Sequence, residues 1–269
     1  MARVAVAQLR ASTDKDRNLR RIVKYVSEAA AGGAGLVAFP EFMMFYTPPG
    51  QTPAELARLA ENIDGPFVKS VADAARDYSI EVVGTIYERS PRRGRVYDTS
   101  FLLGRDGSLL SSYRKIHLYD ALGFKESAKL APGDRMTVPS GSSVGSLGML
   151  ICYDLRFPEA ARTLASSGAG VIVAPSAWVQ GKNKEDQWIT MNRARAMENG
   201  CYLVSPAHVG NIYCGRSLVV DPWGGIILDM GKRQGLGYAT VSPEIIGEAR
   251  RAMPLLKSRR TDVYPDFSL

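Results

Sequence analysis

Cysteine is scarce in this chain. Cys152, Cys201 and Cys214 are the whole set, and an odd, sparse number argues against a disulfide scaffold and for a reducing compartment. No stretch approaches the roughly 18 to 20 consecutive apolar residues of a membrane helix, so no membrane partner is expected. The opening residues, MARVAVAQLR, alternate like a strand and lack the apolar run and small-residue cleavage site of a signal peptide. A cytoplasmic location is the expectation. Long Pro/Gly/Ser linkers and blocks of like charge are also missing, so residues 1–269 read as one domain. The formal net charge is +7, but the basic residues are scattered. Their densest groups are Arg92, Arg93 and Arg95, then Arg250, Arg251, Lys257, Arg259 and Arg260. With no helix-turn-helix, zinc-finger spacing or aromatic single-strand platform beside them, these charges read as a solvated surface that helps attract anionic substrates. They do not read as a nucleic-acid footprint.

What is present is the patterning of a layered enzyme. Hydrophobic residues make up 45% and charged residues 23%, the ordinary range for a chain with a large core. Val4 to Gln8 reads as a strand, and Leu19, Ile22, Val23 and Val26 then recur at helical spacing until Gly32 and Gly33. Leu36 to Phe39 is a short, wholly apolar run, the mark of a strand covered on both faces. A polar, Pro-rich loop around Thr47 to Pro53 precedes a helix from Pro66 to Tyr78 and a strand from Ile80 to Ile86. The order β, α, β, α, β indicates helices covering a sheet. From Tyr97 the pattern becomes a hairpin, Ser100 to Leu103 and Leu109 to Tyr113. A long polar connection, Tyr119 to Pro139, leads to a strand from Val144 to Ile151. Further on come a helix near Glu159 to Ser166, a strand at Val171 to Ala174, and a helix from Lys184 to Glu198. Strands at Tyr202 to Ser205, Ser217 to Val220 and Ile226 to Leu228 follow, and Ser242-Pro243 opens a last helix.

Three chemically able residues, Glu41, Lys115 and Cys152, each stand at or just beyond the end of an apolar strand pattern. In α/β folds the carboxyl ends of strands are where ligands and catalysis gather, so the three can converge from distant segments. A cysteine after an apolar strand is often an inert buried residue. The polar turn that follows this one, with Asp154, Arg156 and Glu159, points instead to backbone N–H groups and a helix dipole that lower the thiol pKa from about 8.5. The same turn offers the N–H of Tyr153 to an oxyanion. A thiol nucleophile needs a base, and His117, His208 and the carboxylate of Glu41 all remain open on spacing alone.

Phe39-Pro-Glu-Phe42, Tyr113-Arg-Lys-Ile-His-Leu118 and Ile151-Cys-Tyr-Asp-Leu-Arg-Phe-Pro-Glu159 together resemble the three signature segments of the nitrilase superfamily of carbon-nitrogen hydrolases. They occur in that family's order, with Glu41, Lys115 and Cys152 separated by 74 and 37 positions. Similarity extends from the first strand to Arg259-Arg-Thr-Asp-Val-Tyr264. The resemblance implies a four-layer α-β-β-α sandwich with two mixed sheets. It also implies Glu41 as general base, Lys115 as the cation beside the oxyanion, Cys152 as nucleophile, and no metal, nucleotide or organic cofactor. Glu126, which alone would be a solvated loop charge, matches a family glutamate that orients the lysine and substrate. The family's pairing through helices and a C-terminal arm implies a homodimer or larger assembly, with Tyr264 near an interface.

Substrate is the least determined part. The segments after Glu41, Cys152 and Pro175 are expected to line the pocket, with Tyr153, Arg156 and Trp178 as binding or oxyanion candidates. Trp178 equally suits a core position, and Arg156 can meet either a substrate carboxylate or an acid such as Asp154 or Glu159. The wording Cys-Tyr-Asp-Leu-Arg-Phe-Pro-Glu resembles the amidase-like branch, the omega-amidase and deaminated-glutathione-amidase type, so a small-molecule amide is the expected partner. N-carbamoyl amino acids and nitriles are the competing substrates. Acyl transfer, and a catalytically silent binding protein on the same fold, are the rival functions.

Overall fold

The computed structural model describes residues 1–92 and 94–263. In chain order the elements are β1 (Ala2–Gln8), α1 (Lys15–Ala31), β2 (Leu36–Ala38), α2 (Pro53–Leu59), α3 (Pro66–Asp77), β3 (Glu81–Arg89), β4 (Val96–Leu103) and β5 (Leu109–Arg114). The second half contains β6 (Ser140–Ser142), β7 (Gly145–Met149), α4 (Pro158–Ser166), β8 (Val171–Val173), α5 (Lys184–Asn199) and β9 (Tyr202–Ser205). It ends with β10 (Val209–Gly210), β11 (Tyr213–Cys214), β12 (Leu218–Val220), β13 (Ile226–Asp229), β14 (Gly235–Val241) and α6 (Pro243–Ala252).

The strands form two six-stranded sheets, ordered β14-β1-β2-β3-β4-β5 and β13-β12-β9-β8-β7-β6, and a small β10-β11 ribbon. Each large sheet is parallel at its centre, through β1, β2 and β3 or β7, β8 and β9, and antiparallel towards its edges. Val4, Val6, Leu36 and Val83 of the first sheet pack with Leu147, Met149, Val171 and Val204 of the second. The opposite face of the first sheet packs Ala5 and Val37 with Ile22 and Val26 of α1 and Val71 of α3. That of the second packs Ile172 and Leu203 with Leu164 of α4 and Trp188 of α5. Helix, sheet, sheet, helix is therefore the layer order, as the resemblance implies. A fully buried Val or Leu side chain stabilises by about 1.5–3 kcal/mol, so the three apolar layers hold the scaffold that carries the strand ends.

The sequence pattern missed the short strands β6, β10 and β11 and two longer elements, β14 and α2. β14 reads GLGYATV, and its two glycines hide the alternation, yet it pairs antiparallel with all seven residues of β1, from Ala2 against Val241 to Gln8 against Gly235. α2 falls in the segment expected as a loop. Its signal was local: Thr52 and Glu55 form a capping box, with Pro53 at the first helical position. The expected strand to Ile151 is shorter, since β7 ends at Met149. No helix of the described residues is long and apolar enough to cross a membrane. Tyr264, expected at an interface, and Arg93 lie outside the described residues.

Candidate active site

Glu41 follows β2 and Lys115 follows β5, both in the first sheet, while Cys152 follows β7 in the second. All three strands run so that their carboxyl ends open on one pocket of about 380 Å³, lined by Glu41, Glu126 and Cys152 among others. Lys115 closes it from behind, with 1% of its surface exposed. Its Nζ donates to Glu41 Oε1 at 2.7 Å and to both oxygens of Glu126, at 3.0 and 2.9 Å. Glu41 is itself buried, and its second oxygen accepts the Ala177 N–H at 2.7 Å. Glu126, at the start of a 3-10 turn, Glu126–Ala128, also accepts the Tyr119 N–H at 2.7 Å. The long polar connection is therefore folded back onto the lysine, and Glu126 is no solvated loop charge.

Burial by itself depresses the Lys115 pKa, but the carboxylates of Glu126 and Glu41 more than offset it and hold the ammonium well above its ordinary value. Burial raises the Glu126 carboxyl, although Lys115 beside it opposes the shift. At Cys152 the expectation fails in sign. Burial, then the negative charge of Glu41, push the thiol well above its ordinary pKa, and Lys115 compensates only partly. The 3-10 turn Cys152–Arg156 is too short for its dipole to overcome that desolvation. These surroundings favour the neutral thiol over the thiolate.

The turn that opens at Cys152 is held by one buried carboxylate. Asp154 accepts from the Ile151 N–H at 3.0 Å, the His117 N–H at 3.1 Å and the Tyr113 hydroxyl at 2.8 Å, and lies 2.8 Å from His117 Nδ1. It thereby ties the residues after Cys152 to the strand end that carries Lys115. His117, stacked on Phe157 with ring centroids 3.7 Å apart, belongs to this clamp. His208 is buried with Nδ1 3.0 Å from the Leu9 carbonyl oxygen, and burial lowers its pKa. Glu41 lines the pocket beside Cys152, whereas His117 is engaged by Asp154 and His208 lies against the Leu9 carbonyl, which favours the carboxylate over either histidine as base. Cys152 adopts φ 45° and Phe42, next to Glu41, φ 54°. Left-handed backbone at residues with a Cβ costs about 1–3 kcal/mol and clusters at functional sites.

Tyr153, Arg156 and Trp178 all line the pocket. Trp178 does so while packing on Trp188, at 5.3 Å between ring centroids, so it is wall and core at once. The acid partners considered for Arg156 are not used. Its Nη2 donates to Gln187 at 2.8 Å, its guanidinium lies 4.7 Å from the Trp178 ring centre, and no carboxylate among the described residues is within ion-pair distance. Lys184, which sequence reasoning missed, reaches the same wall from the start of α5, donating to the Tyr119 hydroxyl at 2.9 Å. A lysine opening a helix carries no sequence signal of this role. Nor does Ala177, whose contribution is a backbone N–H.

Comparison with known proteins agrees with this geometry. The carbon-nitrogen hydrolase family model matches residues 3–251. The omega-amidase of Mus musculus is 35% identical over 273 residues, covering 97% of this chain and 96% of the relative. The nitrilase and fragile histidine triad fusion protein of Drosophila melanogaster is 31% identical over 98% of this chain, which spans only 58% of that protein's length. Among solved structures, a Saccharomyces cerevisiae member of branch 10 of the nitrilase superfamily superposes with a TM-score of 0.85 at 32% identity, covering 96% of each chain. A glutamate-to-glutamine variant of an amidase from Nesterenkonia sp. AN1, with acrylamide added to its active-site cysteine, superposes at 0.80 with 25% identity, covering 97% of this chain and 98% of that one. The fold, the pocket and these matches lead to one assignment: the chain belongs to the carbon-nitrogen hydrolase family.

Proposed function

We propose that this enzyme hydrolyses a small amide to a carboxylic acid and ammonia through a thioester on Cys152. The observation that carries the reading is the buried Lys115, bonded to both Glu41 and Glu126 at the edge of the pocket that Cys152 lines. Glu41 takes the thiol proton as sulfur attacks the amide carbonyl, and the carbon-oxygen double bond opens towards the Lys115 ammonium and the Tyr153 N–H. The tetrahedral intermediate collapses, the carbon-nitrogen bond breaks, and Glu41 returns the proton to the departing nitrogen. Ammonia leaves, Glu41 then deprotonates a water, and hydroxide attack releases the acid and restores the thiol. Glu126 keeps Lys115 aimed at the oxyanion, because a lysine shared between two carboxylates has little freedom to swing.

The pocket wall favours an amide with an acidic far end. Arg156 and Lys184 bring cations to the part of the wall formed by Tyr119, Tyr153 and Trp178, with Lys125 and Lys129 also lining the pocket, and neither Arg156 nor Lys184 has a carboxylate partner among the described residues. A monoamide of a dicarboxylic acid would place its amide at Cys152 and its carboxylate against these cations. An ammonia-release screen across such monoamides, neutral aliphatic amides, N-carbamoyl amino acids and nitriles tests the reading. The monoamides should give the highest kcat/KM; preference for a nitrile or a carbamoyl compound, or no ammonia from any of them, would overturn it.

Residues 1–269 work as one hydrolase domain, a reading supported by the pairing of β14 with β1. Association as a homodimer or larger assembly is supported by exposed Trp223, Ile226 and Ile227 at the β12-β13 edge of the second sheet. Light scattering at micromolar concentration should return a multiple of the chain mass. A cytoplasmic setting fits three cysteines that are all free.

A further inference from the structure

Behind Lys115 stands a carboxyl group that the mechanism above leaves unused. Asp98, on β4, is cross-strand neighbour to Lys115, whose N–H donates to the Asp98 carbonyl at 2.9 Å. The Asp98 side chain is 1% exposed, and neither of its carboxyl oxygens has a hydrogen-bond donor among the described residues. The nearest cation, Lys115 Nζ, is 3.9 Å away, beyond hydrogen-bond reach. An ionised carboxylate buried without a single donor is among the most costly arrangements in a protein interior. A protonated one is an acceptable resident, provided that its O–H finds an acceptor.

The surroundings supply that acceptor. Asp98 faces Glu41 from the end of β2, Lys115 from the end of β5, Glu126 from the connection after it, and Tyr87 from β3. Three carboxyl groups thus share one ammonium in a dry site, an excess of negative charge that a single retained proton relieves. Glu41 receives Lys115 and the Ala177 N–H, and Glu126 receives Lys115 and the Tyr119 N–H. Asp98 receives none, which makes it the natural seat of the proton. Burial, and then the adjacent Glu41 charge, hold its carboxyl well above the usual range, and the two carboxyl groups flank the same ammonium, Glu41 at 2.7 Å and Asp98 at 3.9 Å from Lys115 Nζ.

We propose that Asp98 is a positioning residue of this active site, staying protonated in the resting enzyme and donating its O–H to Glu41. The consequence rests on Glu41 being the general base. A third donor on Glu41 fixes its orientation towards the Cys152 proton that it is to accept. The proton on Asp98 is never transferred; it sets the charge and geometry of its neighbour.

The Asp98→Asn variant separates this from the alternatives, because an amide keeps both the neutral charge and a donor. Its kcat should stay within about threefold of the parent with the acid limb of the pH profile unmoved, whereas Asp98→Ala, which removes the donor, should lower kcat on the order of 10- to 100-fold. In that alanine variant the acid limb should move to higher pH, since the carboxylates of the site lose a neutral donor beside them. An acid limb moved to lower pH in Asp98→Asn would mean that Asp98 was ionised, and would overturn the proposal. So would a lowered Tm in Asp98→Ala with an unchanged pH profile, the mark of a merely structural residue. Infrared spectroscopy of the parent labelled with carbon-13 aspartate reads the proton directly, without substrate, and needs no folded variant at position 98. A protonated carboxylic acid band at neutral pH, displaced when Glu41→Gln changes its partner, is the expected result, and its absence would overturn the proposal. If the band is present but Glu41→Gln keeps full turnover, the general-base reading fails while the protonated Asp98 stands.

Discussion

The two sheets contribute to the pocket in different ways. From the first come Glu41, Lys115 and Asp98, a buried cluster in which Glu41 accepts the Lys115 ammonium and the Ala177 N–H while Asp98 stands 3.9 Å from the same ammonium. From the second comes Cys152, partly exposed, on a left-handed residue at the head of a 3-10 turn. The first region is electrostatically prepared and has no nucleophile. The second has the thiol proposed as nucleophile, which burial and the neighbouring Glu41 charge push upward in pKa. Apposing the sheets brings base and thiol together, and Asp154 reaches across from one to the other through Tyr113 and His117. The apolar layer between the sheets fixes how these two contributions meet.

Removing the second sheet's contribution should have the largest effect. In Cys152→Ala, steady-state ammonia release should fall to background while the thermal unfolding midpoint stays near the parent's, since the altered side chain is a small, partly exposed group. Weakening the first sheet's cluster comes next. Glu126→Gln keeps the size of the side chain but removes the charge that helps hold Lys115, and kcat should fall on the order of 10² to 10⁴. Alkylation of Cys152 should persist there, because Glu41 remains to take the thiol proton. Near-normal turnover in Glu126→Gln would reduce the site to Glu41, Lys115 and Cys152.

Two milder changes sharpen the contrast. Arg156→Gln removes a cation from the pocket wall and leaves the reacting atoms alone, so KM for an acidic monoamide should rise about 10- to 100-fold. For a neutral amide KM should barely move, and an equal rise for both would mean that Arg156 shapes the pocket without reading charge. The smallest effect belongs to the other cysteines. Cys201 and Cys214 are buried, and burial pushes each thiol up to about 12. Cys201 packs in the layer between the second sheet and its helices, away from the carboxylate cluster. Serine at either position should retain most activity, measured as kcat/KM; loss of activity in one of these variants would relocate the nucleophile.

How much of this was legible beforehand follows from where each signal resides. Glu41, Lys115 and Cys152 were legible because each is a reactive side chain at a strand end, embedded in a segment with strong wording. Glu126 was legible only through resemblance, since nothing in its local pattern says that a polar connection folds back onto a buried lysine. Asp98 and Lys184 were missed for the opposite reason: one is a polar residue inside a strand and the other opens a helix, and both matter through contacts with residues far away in sequence. The Cys152 pKa was misjudged because the turn after it is visible in sequence while the burial around it is not. β14 escaped because its glycines mask the alternation, although its partner β1 was clear.

The account's central claim is a covalent acyl group on Cys152, and rapid quenching of a single turnover followed by intact-mass measurement and peptide mapping tests it most directly. With a slowly turned-over monoamide, the protein should gain the mass of the acyl group on the peptide bearing Cys152, with ammonia released in equal amount before the acid appears. An adduct on Cys201 or Cys214, or acid formed together with ammonia in Cys152→Ala, would contradict it.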